Sequence, residues 1–395
     1  MNDQLSADAI LACLLPICLF LISFAWLGMP TLSLRNILDI IKGRTHSSGN
    51  YPYFSREHAV ASYDLYYEMA SAELASMRKS YSKLGRAHKR IGYELGYPRK
   101  LDKLQATIEA NDKVVRGIRR RARETIPSIK RTRMPENGDI LRVRETLKHF
   151  VRDWSSESVS ERTAIFQPIL DALQTEEPTK RGGMSVLVPG AGLCRLAWEI
   201  SRLGFSTTAV EISPFMTLAF RFLCSPEYTN RIDQHVLHPY SYWFSHQQKN
   251  ENLFRDISFP DVVPNLASNL RLEEGDFLTH RSPSGGYDYV VTLFFIDTSM
   301  NVISTMEQIY SLLRPGGQWI NLGPLLWPSG AQARVELSLE EVFDLIRMIG
   351  FKLEDGNDVP EVKRRKTVPS EYTADRYAMM KWIYQAEFWV ATKPE

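Results

Sequence analysis

The spacing of apolar positions changes near the middle of the chain. Between residue 57 and about residue 123, apolar side chains recur every three or four positions, and Gly96-Tyr97-Pro98 interrupts the pattern. This spacing predicts helices on both sides of the break, and a further amphipathic helix over residues 140–154. From residue 185 onward, short apolar runs alternate with segments of helical spacing. That alternation predicts an α/β fold with a mostly parallel sheet and helices on both faces.

The second half of the chain contains the predicted strands. They lie at residues 185–189, 206–210, 270–277, 287–296 and 318–322. Predicted helices lie between them at residues 193–203, 214–223 and 302–313. An aromatic-rich insertion extends from residue 239 to about residue 265, and residues 384–391 are expected to form one strand of a terminal antiparallel pair.

Residues 9–34 form an unbroken stretch of 26 uncharged residues near the N-terminus. A helix of about 20 residues crosses the hydrocarbon core of a bilayer, so this stretch predicts a membrane anchor within residues 1–45. Arg35, Lys42 and Arg44 follow it, and positive residues favour the cytoplasmic side for the rest of the chain. A buried core helix and a hairpin within the membrane are the alternatives.

The composition is that of a globular protein, with 44% hydrophobic and 24% charged residues among 395. The four cysteines form no Cys-x-x-Cys pair and no cluster with histidine, which argues against a disulfide scaffold and a structural zinc site. We therefore predict no metal.

The net charge of +2 conceals a strongly basic segment. Residues 78–133 contain 18 Lys and Arg against 5 Asp and Glu. A solvated helical face explains this charge, and contact with anionic lipid is the functional alternative. No RNA-binding or DNA-reading motif accompanies the charge, so nucleic acid is not predicted as a partner.

One motif points to a nucleoside-binding site. Residues 186–196 read Val-Leu-Val-Pro-Gly-Ala-Gly-Leu-Cys-Arg-Leu, which predicts a strand, a glycine turn at Gly190 and the start of a helix. Glu211 ends the second strand, 21 residues after Gly190. A carboxylate at that place accepts hydrogen bonds from both hydroxyls of a ribose.

Two cofactors share this pattern, a dinucleotide and S-adenosylmethionine. The dinucleotide fingerprint has a third glycine where this chain has Arg195, whose bulk crowds the helix against the strand beside a pyrophosphate. Asp276 and Phe277 lie at the end of the third strand and supply an acceptor and an aromatic wall for adenine. The pattern therefore favours S-adenosylmethionine.

From about residue 54 to the C-terminus the chain resembles the carnosine N-methyltransferase family. The shared sequence motifs are Phe150-Val151-Arg152-Asp153-Trp154, the Val-Pro-Gly-Ala-Gly-Leu turn, Phe259-Pro260-Asp261, Gly275-Asp276-Phe277, Phe294-Phe295-Ile296-Asp297-Thr298, Asn321-Leu322-Gly323-Pro324-Leu325-Leu326 and Met379-Met380-Lys381. They occur in the family's order over some 340 residues.

The resemblance implies an S-adenosylmethionine-dependent N-methyltransferase that acts on an imidazole nitrogen and converts carnosine to anserine. It also implies a Rossmann-like class I methyltransferase sheet over residues 154–395, with a basic helical region at residues 46–153 that helps close the cofactor site. A small imidazole dipeptide is then the expected substrate, and a homodimer is a candidate assembly. If residues 1–45 are no anchor, the family implies the cytosol and nucleus.

Site residues carry over from the family by position. The implied cofactor-binding residues are His149, Arg152, Gly190, Glu211, Asp276, Phe277 and Leu293, with Arg152 suited to a bidentate hydrogen bond with the methionine carboxylate. The implied catalytic residue is Asp297, which accepts the ring N–H of the substrate so that the other nitrogen attacks the methyl group. Tyr372 and Tyr384 are implied to line the substrate site.

From the pattern alone, several of these residues have simpler roles. Asp297 is then an N-cap for the helix at residues 302–313, Arg152 forms a surface ion pair with Asp153 or Glu145, and the two tyrosines are core aromatics.

Departures from the family pattern at Met300 and Trp327-Pro328 leave the acceptor open, and a further departure, at His149, concerns the cofactor contact. His149 stands where the family usually has Gln, Met300 where it commonly has His, and Trp327-Pro328 where it often has Tyr-His. One alternative is therefore methylation of a protein histidine or another imidazole peptide. The other is an inactive membrane-bound scaffold with a methyltransferase fold.

Overall fold

The computed structural model describes residues 55–126, 138–328, 332–356 and 358–395. The predicted membrane anchor at residues 9–34 lies outside this part of the chain. Within it, no helix combines the length and the hydrophobicity that crossing a bilayer requires.

The described part of the chain begins with four helices. They are α1 (Arg56–Ser82), α2 (Arg86–Glu94), α3 (Tyr97–Thr125) and α4 (Ile140–Trp154). The Ser55 side chain begins α1 by accepting from the backbone N–H of His58 at 3.0 Å. Gly96, with a φ of 78°, separates α2 from α3, so the predicted break is confirmed.

The remaining helices alternate with strands. The helices are α5 (Val159–Gln174), α6 (Pro178–Arg181), α7 (Arg195–Arg202), α8 (Pro214–Leu223), α9 (Asn250–Leu253), α10 (Val302–Leu312) and α11 (Leu339–Ile349). The strands are β1 (Ser185–Pro189), β2 (Ser206–Glu211), β3 (His235–Leu237), β4 (Ile257–Phe259), β5 (Leu270–Glu274), β6 (Tyr287–Leu293), β7 (Leu313–Gly323), β8 (Lys352–Leu353), β9 (Lys366–Ser370) and β10 (Tyr384–Thr392).

In the described part of the chain, eight strands form one mixed sheet in the order β5-β2-β1-β6-β7-β10-β8, with β9 also paired to β10. The first five strands of this order are parallel, whereas β10 runs antiparallel to β7, β8 and β9. The predicted parallel sheet with an antiparallel terminal strand is therefore confirmed. A separate antiparallel pair was not predicted: β3 lies just before the aromatic insertion and β4 lies within it.

Both faces of the sheet are covered by helices. Val186 and Val188 of β1 pack into a cluster that includes side chains from α1, α3, α4, α5, α7 and α8. Leu187, between them, packs on the opposite face with side chains of α10 and α11. Because successive strand residues point to opposite faces, a strand buried on both sides reads as a continuous apolar run. The predicted two-sided arrangement is confirmed.

Some predicted boundaries were wrong by a few residues. β6 ends at Leu293, three residues before its predicted end, because Phe294 adopts a positive φ of 49°. A 3-10 turn then spans Ile296–Thr298. β7 is longer than predicted at both ends and begins directly after α10.

Candidate active site

The carboxyl ends of β1, β2, β5 and β6 meet at one edge of the sheet. The N–H of Ala191, after β1, donates to the carbonyl of Val210 at 3.2 Å, and the N–H of Gly275, after β5, donates to the carbonyl of Glu211 at 3.0 Å. Ligands of open α/β sheets bind at such an edge. The structure thus brings the predicted cofactor residues of three loops together.

Glu211 is buried beneath the glycine turn. Its Oε2 accepts from the N–H of Gly192 at 2.7 Å and its Oε1 from the N–H of Ser213 at 2.8 Å. Burial raises the pKa of Glu211, while these N–H donors oppose the rise. A carboxylate has about four acceptor positions, so the side chain keeps acceptor capacity for a hydroxyl ligand.

The turn itself requires residues that tolerate a positive φ. Gly190 has a φ of 62°, and a Cβ there would lie 2.5 Å from a ring carbon of Phe295. Cys194 has a φ of 57° and directly precedes α7. The close contact at Gly190 shows that the backbone leaves no room for a side chain between the turn and the Phe295 ring.

An aromatic wall stands beside the turn. The rings of Phe277 and Phe295 meet edge to face with centroids 5.3 Å apart. Asp276 begins the short 3-10 turn at Phe277–Thr279 by accepting from the N–H of Leu278 at 2.9 Å. Leu293, the last residue of β6, is half-buried and packs against the hydrophobic cluster on the opposite face of the sheet from Phe277.

The C-terminal end of α4 is tied to the glycine turn. Trp154 Nε1 donates to the carbonyl of Leu193 at 2.9 Å. Arg195 Nη1 donates to the carbonyl of Asp153 at 3.1 Å and to Asp261 Oδ1 at 2.6 Å. These contacts fix the last turn of α4, which carries the predicted residues His149 and Arg152.

Arg152 pairs with its neighbour Asp153 inside the protein. Its Nε lies 2.7 Å from Asp153 Oδ1 and its Nη2 lies 3.1 Å from Asp153 Oδ2. Both side chains are buried. The alternative of an ion pair at the surface is therefore wrong, because the pair lies inside the protein. Nη2 also lies 3.8 Å from the position a Cβ on Gly192 would occupy, which places the guanidinium beside the turn.

Tyr372 contacts both the predicted cofactor residues on α4 and Phe294, which follows β6. Its ring stacks on Phe294 at 4.8 Å, lies under the guanidinium of Arg152 at 4.6 Å, and meets the His149 ring edge-on at 5.7 Å. Tyr384 contacts the same Phe294 ring at 5.7 Å. The two predicted substrate tyrosines therefore both contact one phenylalanine ring.

The segment after β9 is held against α5. The N–H of Thr373 donates to Glu161 Oε1 at 2.7 Å, and Arg255 Nη2 lies 2.9 Å from Asp375 Oδ1. These contacts fix the position of Tyr372 from outside the sheet.

Asp297 is a buried carboxylate with an unused acceptor. Its side chain is 6% exposed, and its Oδ2 accepts from the N–H of Leu326 at 3.3 Å. Its Oδ1 has no hydrogen-bond partner among the described residues. Burial raises the pKa of Asp297 to about 6. Asn301, rather than Asp297, caps α10, so the helix-cap alternative is wrong.

His149 carries a second unused polar atom. Its Nδ1 is buried and has no partner in the described part of the chain. Burial lowers the pKa of His149 to about 3, and the positive charge of Arg152 adds to this effect. The ring is therefore neutral at physiological pH.

Two site residues were missed as such by sequence reasoning, Phe294 and Phe295. Both belong to the motif Phe-Phe-Ile-Asp-Thr. Their position directly after a buried strand is the signal that could have identified them. Phe294 bends the chain at the end of β6, and Gly323 of β7 leaves room for that bend, since a Cβ there would lie 3.1 Å from Phe294 N.

Metal ligands do not gather at this site. In the residues that the structure describes, no group of three or more His, Cys, Asp or Glu side chains is arranged to hold a metal ion.

Comparisons with known proteins show which family this chain is similar to. A family model described as carnosine N-methyltransferase matches residues 129–395. Curated proteins with the same description from Rattus norvegicus and Mus musculus are each 34% identical over 318 residues, covering 76% of this chain and 76% of their own length. The one from Schizosaccharomyces pombe is 31% identical over 366 residues, covering 85% of this chain and 94% of its own.

Proposed function

The chain belongs to the carnosine N-methyltransferase family, and we propose that it transfers a methyl group from S-adenosylmethionine to an imidazole nitrogen, converting carnosine to anserine. The observation that carries this proposal is the buried Asp297 carboxylate, whose Oδ1 has no partner within the described chain. A buried acceptor of this kind is costly unless a ligand pairs with it. An imidazole N–H is a matching donor.

The residues at the glycine turn fit the methyl donor. Glu211 would accept from the ribose hydroxyls, and the Phe277 and Phe295 rings would hold the adenine. Arg152 keeps its Nη1 free of the Asp153 pair and would direct it to the methionine carboxylate. When bound, S-adenosylmethionine supplies an electrophilic methyl group on a sulfonium.

Asp297 would act on the acceptor. By accepting the N–H of a neutral imidazole, it fixes the tautomer whose other nitrogen carries the free electron pair. Methyl transfer makes the ring cationic, and the nearby carboxylate stabilises this charge. With a pKa of about 6, Asp297 can then take up the remaining N–H proton.

The aromatic cluster would position the ring. Phe294, Tyr372 and Tyr384 form a rigid wall next to the strand end that precedes Asp297. Since the leaving group of a sulfonium is neutral, transfer depends on proximity and alignment more than on acid–base chemistry, and we propose no metal.

The chain's division into parts is part of the proposal. We propose residues 46–153 as the helical region that helps close the cofactor site, supported by the contact of the Asp153 carbonyl with Arg195 of α7. Residues 154–395 form the class I methyltransferase domain. Residues 1–45 form a membrane anchor that leaves the rest of the chain on the cytoplasmic side, and the uncharged stretch at residues 9–34 supports this. A homodimer stays a prediction, to be checked by light scattering.

The test is a product analysis. The purified chain is incubated with S-adenosylmethionine carrying a deuterated methyl group and with carnosine, and the products are identified by mass spectrometry. Labelled anserine is the expected product. A label found only on histidine residues of an added protein extract would favour the alternative acceptor. Failure to bind the cofactor in calorimetry would favour the inactive scaffold.

A further inference from the structure

Helix α2 is largely exposed to solvent. None of its nine residues is buried. It is held in place from one side, where Tyr81 Oη donates to the carbonyl of Lys89 at 2.7 Å and the Tyr81 ring fills the space beside Gly92. The rest of the helix projects from the protein.

The exposed side chains of this projection include large aliphatic residues. Leu84 is 42% exposed, Ile91 50% and Leu95 80%. Ile91 and Leu95 are four residues apart and therefore lie on one face of the helix. Exposed aliphatic residues that cluster on one element are typical of a contact surface.

Cations surround these aliphatic residues. Residues 78–103 contain nine Lys and Arg and two Asp and Glu. The two acids are each engaged by a neighbour, Asp102 by Arg78 at 3.0 Å and Glu94 by Arg90 at 3.7 Å. The surface therefore keeps a net positive charge of seven from this segment, and Lys83, Arg86 and Arg99 are all exposed.

We propose that the α2 surface, formed by Leu84, Ile91, Leu95, Lys83, Arg86 and Arg99, docks on an anionic lipid bilayer. Amphipathic helices of this composition insert aliphatic side chains at the level of the headgroups while their cations pair with anionic lipid. An anionic bilayer offers phosphate charge and hydrocarbon in one plane. Nucleic acid offers the charge without an apolar phase, and a second copy of this chain would bring two basic surfaces together.

An exposed aromatic side chain lies close to the beginning of α3, the helix that follows α2. The Lys100 Nζ lies 4.2 Å from the ring centroid of Phe244, which brings the aromatic insertion to the beginning of α3. The next residue back, Trp243, is 54% exposed. Tryptophan prefers the interface between water and lipid, where its ring is half in an apolar phase.

The location of α2 leaves the candidate active site open. Helix α1 begins at the sheet, where Arg56 Nε lies 2.8 Å from Glu274 Oε2 at the end of β5. Its 27 residues span about 40 Å, and α2 follows its opposite end. A bilayer bound to α2 would therefore lie far from the carboxyl edge of the sheet.

The test uses the full chain and two kinds of vesicle, one of phosphatidylcholine and one with about 30% phosphatidylserine added. Co-sedimentation gives the ratio of the two partition constants. If residues 9–34 bind both kinds of vesicle equally, their contribution cancels in this ratio. We expect a preference for the anionic vesicles that falls as salt is raised. Equal partitioning into both vesicles would overturn the proposal.

Two variants locate the surface. Replacing Lys83, Arg86 and Arg99 by Gln should lower the partition constant for anionic vesicles roughly 100-fold, at about fivefold per charge. The matched control replaces Lys180, Arg347 and Lys352, which are also exposed, by Gln and should change it little. Ile91→Ser with Leu95→Ser should weaken binding to anionic vesicles at unchanged net charge, whereas Met348→Ser, at a site 83% exposed on α11, should not.

The same experiments give the outcomes that would contradict the proposal. Circular dichroism and thermal melting confirm that each variant is folded, so loss of binding cannot be a folding defect. Binding that survives both α2 variants would assign the interaction to another segment. Displacement from vesicles by low concentrations of a single-stranded oligonucleotide would favour a nucleic acid partner, and concentration-dependent dimerisation lost in the α2 variants would favour a second copy.

Discussion

The guanidinium of Arg152 lies over the ring of Tyr372, 4.6 Å from its centroid. Arg152 is predicted to bind the cofactor and Tyr372 to line the substrate site, so this contact connects the two halves of the site. Tyr372 also stacks on Phe294, three residues before Asp297. A substitution at one of these residues is therefore expected to change the binding of both cofactor and substrate. The predictions below use residues outside this stack.

Asp297→Asn should separate catalysis from cofactor binding. The substitution keeps the size of the side chain and removes the charge that would stabilise an imidazolium. Turnover of carnosine should fall by about 100-fold or more, roughly 2.7 kcal/mol of transition-state stabilisation, while cofactor affinity measured by calorimetry changes little. Asn301→Ala, which removes the cap of α10, is the control and should affect stability more than turnover. Near-normal turnover in Asp297→Asn would remove the main support for the substrate assignment.

Glu211→Ala should give the opposite result. It removes the acceptor for the ribose hydroxyls, and losing a charged hydrogen-bond partner costs about 1.5–3 kcal/mol, so cofactor affinity should fall roughly 10- to 150-fold. Because Glu211 also accepts from Gly192 and Ser213, thermal melting must first show that the variant is folded. Unchanged affinity in folded protein would refute the assignment.

The pH profile of kcat/KM should report two ionisations on the acid side. Asp297 loses its charge below pH about 6, the value to which burial raises its pKa, and a free imidazole substrate becomes protonated below about 6.5. Both changes stop the reaction, so kcat/KM should fall about 100-fold per pH unit well below 6. In Asp297→Asn only the substrate ionises, and the fall should be about tenfold per unit. Equal slopes in the two proteins would contradict a role for the Asp297 charge.

The buried carboxylate should cost stability when no substrate is bound. The folded pKa of Asp297, about 6, lies above its ordinary value of 3.8, so the folded state binds the proton more tightly between these values. Stability from this group is therefore lost as the pH rises through 4 to 6. At pH 7 Asp297→Asn should raise the free energy of unfolding by about 1–3 kcal/mol, and the gain should vanish near pH 4. Denaturant titrations at both pH values measure it.

Removing residues 1–45 should leave an active enzyme. Every predicted site residue lies between His149 and Tyr384, beyond the removed segment. Membrane association of the shortened chain should depend on salt, because only the α2 surface would then hold it to anionic lipid. Salt-resistant association would point to a further anchor, and loss of folding would support a core helix within the removed residues.

Local sequence signals were sufficient for the parallel part of the sheet. The strands β1 and β2 and helix α8 lie where apolar runs and turn residues predicted them, since a strand buried on both faces must be apolar throughout. The glycine turn and Glu211 followed from the same logic, because a nucleoside at a strand end requires a close backbone approach and an acceptor.

The wall around the candidate active site could not be predicted in this way. The contact between Thr373 and Glu161 joins residues 212 positions apart, and nothing in either local sequence indicates the other. The bend at Phe294 occurs in a run of apolar residues that extends the β pattern, so the strand was predicted to be longer than it is. Only tertiary contacts, such as the close approach of Gly323, allow it.

The neutral ring of His149 sets a selectivity problem for the protein. Its Nδ1 is buried without a described partner, beside residues predicted to bind a methyl donor, and its pKa of about 3 leaves it uncharged. An unprotonated imidazole nitrogen is the same nucleophile as the proposed substrate. The edge-on contact with Tyr372 holds this ring in one orientation. An enzyme that methylates imidazole therefore carries an imidazole of its own beside the residues proposed to bind the methyl donor.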